Sequence, residues 1–257
     1  MIVSLVMNRK RRALLWLVMA LVLTAATLRV FWPGVVLDVT GRNRRVPIYF
    51  VDMEDKKIAI SFDASWGNEY TGKILDILRE NEIKTTFFLT GFWIEKYPEL
   101  VKKIVAEGHE LGNHTFTHPH LNTLDKAGIK TELERVHSAL TDLSGKEPFL
   151  FRPPFGEYSN KVIEVADELG YLTIQWSIDS LDWKDLGEGT IIKRVTEKMH
   201  PGAIVLFHNN GRYTADALPE IIAYATENGY KIMPISELLY KKDYYIDSSD
   251  GAQRKKQ

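Results

Sequence analysis

The distribution of histidine along the chain is the first indication of chemistry. The chain has seven histidines, and four of them lie between His109 and His120. His114 and His118 are four residues apart, which on one helical turn would place both imidazoles on the same side, able to share a metal ion. Two surface histidines on a loop would show the same spacing, but the neighbouring His109 and His120 favour a metal site. Imidazole with oxygen donors suits zinc, with cobalt, nickel and iron as rivals.

Arg152 lies in a segment that stiffens its backbone. Pro153 and Pro154 follow it directly, and each proline fixes φ and removes a backbone donor. An arginine held in this way can bind a carboxylate through two parallel hydrogen bonds. An ordinary solvated arginine is the weaker interpretation, because it would not need this rigid context.

His208 follows an apolar run that reads as a buried strand, and two aspartates upstream offer it a partner. Asp179 and Asp182 are the candidates to orient this imidazole and raise its pKa. Taken alone, His208 could be a core histidine whose ring nitrogens are hydrogen-bonded within the protein. Either aspartate could cap a helix or close a turn. Trp176 and Trp183 could be core residues or could offer an aromatic face to a sugar ring.

Strand-like and helix-like segments alternate along most of the chain. The strand-like segments are residues 58–62, 85–89, 109–113, 149–151, 171–178, 203–207 and 231–233. The helix-like segments are residues 70–80, 98–107, 125–143, 161–169, 190–199, 217–228 and 236–240. This alternation predicts an α/β fold, a deformed (β/α) barrel of about seven parallel strands, rather than an open sheet.

In such a barrel the functional site lies where the strands end and the loops begin. The ionisable residues at these positions are Asp63, His114, His118, Arg152, Asp179, Asp182 and His208. We therefore expect their side chains to converge at one rim of the barrel.

The N-terminal segment predicts export. A basic run at residues 8–12 precedes the uncharged residues 13–28, and residues 30–32 extend the apolar stretch beyond Arg29. This pattern favours an uncleaved single-pass membrane anchor, with the rest of the chain outside the cytoplasm, over a cleaved signal peptide that would release a secreted protein. A buried core helix is the weakest interpretation, because the segment is apolar on all sides. The predicted organisation is a basic segment and anchor over residues 1–34, a stalk or small hairpin over 35–55, a folded catalytic domain over 56–240 and a loose polar tail over 241–257.

Composition excludes several classes of protein. The chain has 257 residues, 45% of them hydrophobic, which is typical of a globular protein rather than a disordered one. Its 33 basic and 34 acidic residues give a net charge of −1, so bulk charge does not predict nucleic-acid binding. It has no cysteine, which excludes disulfides, thiolate metal ligands and a cysteine nucleophile.

Five segments, in order, resemble the five motifs of the polysaccharide deacetylases, carbohydrate esterases with the nodulation-type chitooligosaccharide deacetylase domain. Each motif alone is weak, but five in sequence are specific, and the likeness covers roughly residues 56–240. The predicted N-terminal anchor and the amino-acid sequence of residues 61–67 look most like the sporulation-associated branch of this family. The five segments are Ser61-Phe62-Asp63-Ala64, His114-Thr115-Phe116-Thr117-His118, Arg152-Pro153-Pro154-Phe155, Asp179-Ser180-Leu181-Asp182-Trp183 and Ile204-Val205-Leu206-Phe207-His208.

The resemblance implies a metal-assisted hydrolysis of N-acetyl groups on amino sugars of a cell-wall polysaccharide, either peptidoglycan or a chitin-like polymer. It implies Asp63 as general base and His208 as general acid. It also implies that Arg152 orients Asp63 and that Asp182 tunes His208. His114 and His118 would hold the divalent metal. The residues expected to contact substrate are Phe155, Asp179, Trp183 and Leu206.

One position departs from the family pattern, because Ala64 stands where a carboxylate is expected as the third metal ligand. Asp63 could turn onto the metal, one of Asn68, Glu69 and His120 could replace the ligand, or water could fill the position at lower affinity. The second hypothesis is an inactive glycan-binding relative. A glycosidase that pairs Asp63 with another aspartate ranks last, because the histidines would then have no role.

Overall fold

The computed structural model describes residues 14–19 and 44–256 of the 257-residue chain. The chain divides into two units, residues 1–44 and 45–257. In the first unit, residues 14–19 are helical and their side chains are exposed. Within the described residues, no helix is long and apolar enough to cross a membrane. Most of the predicted anchor lies outside the described residues, as do residues 35–43 of the predicted stalk or small hairpin. Residues 45–55 form neither a stalk nor a hairpin but belong to the second unit, where Ile48 and Val51 are fully buried and Phe50–Val51 pairs in parallel with residues 252–253.

A curled, parallel sheet forms the centre of the second unit. Its seven strands follow the order β6-β5-β4-β3-β2-β8-β7, and a short strand, β9, pairs with the start of β2. Every pairing in this sheet is parallel, which confirms the predicted α/β fold of about seven parallel strands. The sheet is a half-barrel rather than a closed barrel, because its two end strands, β6 and β7, do not pair with each other. The strands are β2 (Lys57–Ala64), β3 (Thr86–Leu89), β4 (Glu110–Asn113), β5 (Leu150–Phe151), β6 (Leu172–Thr173), β7 (Ile178–Asp179), β8 (Ile204–His208) and β9 (Lys231–Ile232).

Helices follow the strands and bury one face each against the sheet or a neighbouring helix. The fourth helix begins after Asp125, whose carboxylate accepts a 2.8 Å bond from the Gly128 amide, and it ends at Gly145, which has φ +66°. The predicted helices are all present, and a further one forms over Gly91–Lys96. The helices are α1 (Thr71–Glu80), α2 (Gly91–Lys96), α3 (Pro98–Ala106), α4 (Lys126–Ser144), α5 (Asn160–Glu168), α6 (Glu188–Thr196), α7 (Thr214–Glu227) and α8 (Ile235–Leu238).

The predicted strand over residues 171–178 is wrong as a single strand. It is two strands, β6 and β7, that lie at opposite ends of the sheet. The link between them crosses the open side of the half-barrel, where the Ile174 amide donates to the Phe151 carbonyl and the Ser177 amide donates to the Ile204 carbonyl. Local sequence showed an extended run, but the pairing partners differ at its two ends.

The predicted loose tail is also wrong, because the tail is folded. Its strands β10 (Tyr244–Ile246) and β11 (Ala252–Lys255) form a small sheet with β1 (Phe50–Val51), in which β11 is central. Gln253 is fully buried, and its side-chain amide pairs with both backbone groups of Tyr240 at 2.9 and 3.0 Å. The tail is polar, which predicted a loose segment, but its buried polar side chain is hydrogen-bonded within the fold.

Register on β2 determines which side chains meet at the end of the barrel. Asp63 lies beside His208 of β8, and Asn113 of β4 lies beside Phe151 of β5. His114 and Arg152 therefore leave the sheet next to each other. Behind this row, Phe62 stacks with the rings of Phe87 and Phe207, so the row beneath the rim is rigid and apolar.

Candidate active site

One cavity of about 600 Å³ opens at the carboxyl ends of the strands. Nine of the residues predicted or weighed from sequence line it, which are Asp63, His114, His118, Phe155, Trp176, Asp179, Trp183, Leu206 and His208. Arg152 and Asp182 are fully buried behind this lining, each bonded to one of its residues. The structure therefore brings the five sequence motifs to one place.

A buried ion pair forms the floor of the cavity. Arg152 Nη1 donates to Asp63 Oδ1 at 2.7 Å, and Nη2 donates to Ser61 Oγ at 2.8 Å. Burial opposes ionisation of Asp63, but the charge and hydrogen bond of Arg152, together with the charge of His208, outweigh it, so the pKa of this carboxyl lies below its usual value. Asp63 is consequently an ionised acceptor held in one orientation.

His114 is oriented by a backbone carbonyl. Its Nδ1 lies 2.7 Å from the Arg152 carbonyl oxygen, which can only accept, so Nδ1 carries the proton. Burial lowers the pKa of His114 below its usual value, so the ring is neutral and Nε2 is unprotonated. Nε2 lies 3.5 Å from Asp63 Oδ2. A carbonyl on the far nitrogen is the usual way in which proteins orient a metal-binding imidazole.

His118 presents a second imidazole to the same space. Its ring centroid is 4.9 Å from that of His114, and its Nδ1 is buried with no hydrogen-bond partner in the described part of the chain. Burial, followed by the proximity of His114, lowers the pKa of His118 to about 3. The imidazole is therefore neutral, as a metal ligand must be. The segment between the histidines is not a helical turn, because Thr115 and His118 adopt φ values of +67° and +56°.

The donors in this cavity fit a divalent cation bound by two imidazoles. Across residues 14–19 and 44–256, no group of three or more His, Asp or Glu side chains is placed to hold a metal. His120 instead pairs with Glu157 at 2.9 Å, and neither Asn68 nor Glu69 lines the cavity. Ala64 is fully buried in the apolar core.

On the other side of the cavity, Asp182 holds His208. Asp182 Oδ1 lies 2.7 Å from His208 Nδ1, and Oδ2 accepts bonds from the His208 amide at 2.7 Å and from Thr214 Oγ1 at 2.6 Å. Burial lowers the pKa of His208, but the hydrogen bond and charge of Asp182 outweigh it and leave the pKa above its usual value. With Nδ1 engaged, Nε2 is the nitrogen available to transfer a proton.

Exposed aromatic rings surround the mouth of the cavity. Trp66, Phe155 and Trp183 are 60%, 53% and 57% exposed, which is unusual for such large apolar side chains. Phe155 has φ +59° and stacks on His120, while Trp66 meets the edge of His118 at a centroid distance of 4.6 Å. Flat apolar faces around a polar site suit the faces of sugar rings.

Sequence reasoning missed several residues that support this site. Ser61 shares the inner face of β2 with Asp63, and its position two residues earlier could have indicated this. Trp66 could have been found as an apolar ring just beyond a strand end. Glu132 lies on a helix far along the chain, and no local signal connects it with the histidine segment that it contacts. Asp179 lines the cavity and also closes a turn, accepting a bond from the Leu181 amide at 2.9 Å.

Comparisons with known proteins agree with this architecture. The profile of the polysaccharide deacetylase family matches residues 50–174. The peptidoglycan-N-acetylmuramic acid deacetylase PdaA of Bacillus subtilis is 35% identical over 204 residues, which cover 78% of this chain and 78% of PdaA. Its solved structure superposes with a TM-score of 0.70 over 75% of this chain and 84% of that structure. The chain therefore belongs to the polysaccharide deacetylase family.

A second relative bears on catalytic competence. The wild-type structure of a CE4 family pseudoenzyme from Bacillus anthracis has a TM-score of 0.73 with this chain at 36% identity, covering 75% of this chain and 68% of that one. A mutant of that pseudoenzyme, described as having restored enzymatic activity, has the same TM-score at 37% identity, covering 75% and 71%. The family thus includes members without activity.

Proposed function

We propose that this chain hydrolyses N-acetyl groups on amino sugars of a cell-wall polysaccharide, releasing acetate and a free amine. The observation that carries this proposal is the placement of an ionised Asp63 and an Asp182-bound His208 on neighbouring strands, facing one cavity. These are the base and the acid that amide hydrolysis requires. The similarity to peptidoglycan deacetylases supports peptidoglycan as the polymer, with a chitin-like polymer as the alternative.

A divalent cation, with zinc as first choice and cobalt, nickel or iron as rivals, would be held by His114 and His118. When bound, it would polarise the acetyl carbonyl and make water easier to deprotonate. Two imidazoles without a carboxylate are a weak donor set for a catalytic zinc, which normally has three protein ligands. We therefore infer low metal affinity, with solvent in place of the missing ligand.

The protein's own side chains would supply the proton transfers. Asp63, kept ionised by Arg152, takes a proton as water attacks the acetyl carbonyl. His208 gives a proton to the sugar nitrogen as the carbon–nitrogen bond breaks, because an unprotonated amide nitrogen is a poor leaving group. Leu206 and Trp176 line the cavity and offer apolar surface to the acetyl methyl group, while Phe155 and Trp183 flank the sugar.

Acetate release tests this proposal. The purified chain is incubated with N-acetylglucosamine oligomers and with muropeptides, in the presence of Zn²⁺ or Co²⁺, beside Asp63→Asn and His208→Ala. We expect acetate only from the natural protein, and free amines in equal amount on the sugar. Equal background release from all three proteins would end the proposal.

An inactive, glycan-binding protein is the second candidate, and the absence of a carboxylate at Ala64 favours it. Its test is the same assay with Ala64→Asp. If metal binding and acetate release appear only in that variant, the natural chain is a binding protein. Turnover by the natural chain would exclude this candidate.

We also propose that the catalytic domain lies on the extracytoplasmic side of a cell membrane, where peptidoglycan is found. The basic run and the apolar stretch near the N-terminus support this. Membrane fractionation, with protease treatment of intact cells, tests the location. Recovery of the chain in the cytoplasmic fraction, protected from protease, would contradict it. A role in sporulation stays a prediction from the resemblance.

A further inference from the structure

The segment that carries the two imidazoles has a strained backbone. Thr115 has φ +67° and His118 has φ +56°, although neither is glycine. A non-glycine residue in this region is strained and persists only where its surroundings hold it. The positions of His114 and His118 therefore depend on whatever fixes residues 115–117.

Glu132 of α4 provides that fixation through its carboxylate. One oxygen accepts hydrogen bonds from the Phe116 amide at 2.9 Å and from the Thr117 amide at 2.7 Å. The other oxygen accepts from Thr117 Oγ1 at 2.8 Å. Three donors from two successive residues thus end on a single carboxylate, which is a strong and directional arrangement.

Neighbouring positions on α4 contact further residues of the same segment. The Leu133 carbonyl accepts a 2.9 Å bond from the Asn113 side chain, whose own oxygen accepts from the Thr115 amide at 2.9 Å. The guanidinium of Arg135 lies 3.2 Å from the centre of the Phe116 ring. The segment is therefore attached to one helix at several points, with Glu132 at the middle.

We propose that Glu132 is a positioning residue that fixes the spacing and orientation of His114 and His118. It acts through the backbone and touches neither the cavity nor a reacting atom. The proposal rests on the proposed function for its consequence, metal binding. The structural part of the proposal is that the Glu132 carboxylate orders residues 114–118 before any metal binds.

Two variants and one control separate positioning from general stability. Glu132→Ala removes all three bonds. Glu132→Gln keeps them in altered form, because its amide oxygen can accept from both backbone amides while its NH₂ donates to Thr117 Oγ1. Glu134→Ala is the matched control, two residues along the same helix, where Glu134 is exposed and pairs with Lys130 at 3.5 Å.

The first measurement is amide hydrogen exchange over residues 113–120 without metal. We expect exchange at Phe116 and Thr117 to be about tenfold faster or more in Glu132→Ala, with Glu134→Ala equal to the natural protein. The second is Co²⁺ titration followed by the visible absorption spectrum. We expect a dissociation constant about 10- to 100-fold larger in Glu132→Ala, with a changed spectrum, and substantial rescue in Glu132→Gln.

The outcomes are distinguishable. Unchanged exchange at Phe116 and Thr117 in Glu132→Ala overturns the positioning role, whatever the metal does. If the natural protein binds no Co²⁺, the metal part of the proposed function fails, while the exchange experiment still decides the role of Glu132. The titration is then repeated in the Ala64→Asp background. Equal Co²⁺ spectra and affinities with and without Glu132→Ala in that background would also overturn the proposal.

Discussion

Arg152 and Asp63 form an ion pair in which the arginine side chain is fully buried and the carboxylate is 7% exposed. The bond between them is 2.7 Å long, and the guanidinium also donates to Ser61 Oγ and to the Gln175 carbonyl. Because each charge is removed from water, neither is tolerated without the other. This relationship links stability of the fold to the ionisation of the proposed base.

Replacing one member of this pair should be more damaging than replacing both. We expect Arg152→Met to lower the free energy of unfolding by about 3–5 kcal/mol, because Asp63 is then buried unpaired. Adding Asp63→Asn should recover part of that loss. Urea denaturation of the natural protein, both single variants and the double variant completes a double-mutant cycle, which measures the interaction energy between the two side chains. Additive losses would mean that the two side chains do not stabilise each other.

The positions of the catalytic candidates could be predicted from sequence because each depends on a local pattern. Asp63 and His208 follow apolar runs, and His114 and Arg152 follow short strands, so parallel alternation of strands and helices is enough to bring their ends together. The structure adds the register, which places Asp63 beside His208 and leaves His114 next to Arg152. Register depends on contacts between strands distant in sequence and is not encoded in any one of them.

The errors share one cause, since each concerns a choice of long-range partner. Residues 171–178 have the composition of one strand, yet Ile174 and Ser177 bond to opposite ends of the sheet. The tail looked loose because its residues are polar, but Gln253 and Arg254 satisfy their polar groups inside a small sheet. Composition measures the average environment of a segment and does not identify a specific partner.

Asp182→Asn tests the electrostatic support of His208. Since the pKa of His208 is raised in the fold, the interaction stabilises the folded chain fully below the usual histidine value of 6.5, and the stabilisation is lost as pH rises through the raised value. The variant should therefore lose more stability at pH 5.5 than at pH 9. Its His208 imidazole should titrate at lower pH by NMR, and its acetate release should fall by about 10²- to 10⁴-fold.

Asp185→Asn is the control for this experiment, because Asp185 also lines the cavity but does not bond to His208. It should leave the His208 titration unchanged. An Asp182→Asn protein whose His208 titrates as in the natural protein would show that the 2.7 Å contact does not govern the proton on this imidazole.

Gln253→Ala tests whether the tail belongs to the folding unit. The substitution removes both hydrogen bonds to the Tyr240 backbone and leaves a cavity in a fully buried position. We expect a loss of about 1–3 kcal/mol in the free energy of unfolding by urea. Lys256→Ala, at an exposed position three residues later, should change it by less than about 0.5 kcal/mol. Equal midpoints for the two variants would contradict a structural role for the tail.

Ala64→Asp places a carboxylate where the family pattern expects a metal ligand and where this chain has a fully buried apolar side chain. Without metal, the new group is buried with no partner in place, so we expect a loss of about 1–3 kcal/mol in the free energy of unfolding. With Zn²⁺ at 100 times its dissociation constant, ligation should return about 2.7 kcal/mol. Thermal unfolding with EDTA and with Zn²⁺ measures both effects.

Ala64→Asn is the matched control, since it has nearly the same shape and burial but is a much weaker metal ligand. A Zn²⁺-dependent rise in melting temperature that is no larger in Ala64→Asp than in Ala64→Asn would mean that position 64 does not reach the cation site proposed at His114 and His118. The missing carboxylate would then not explain low metal affinity.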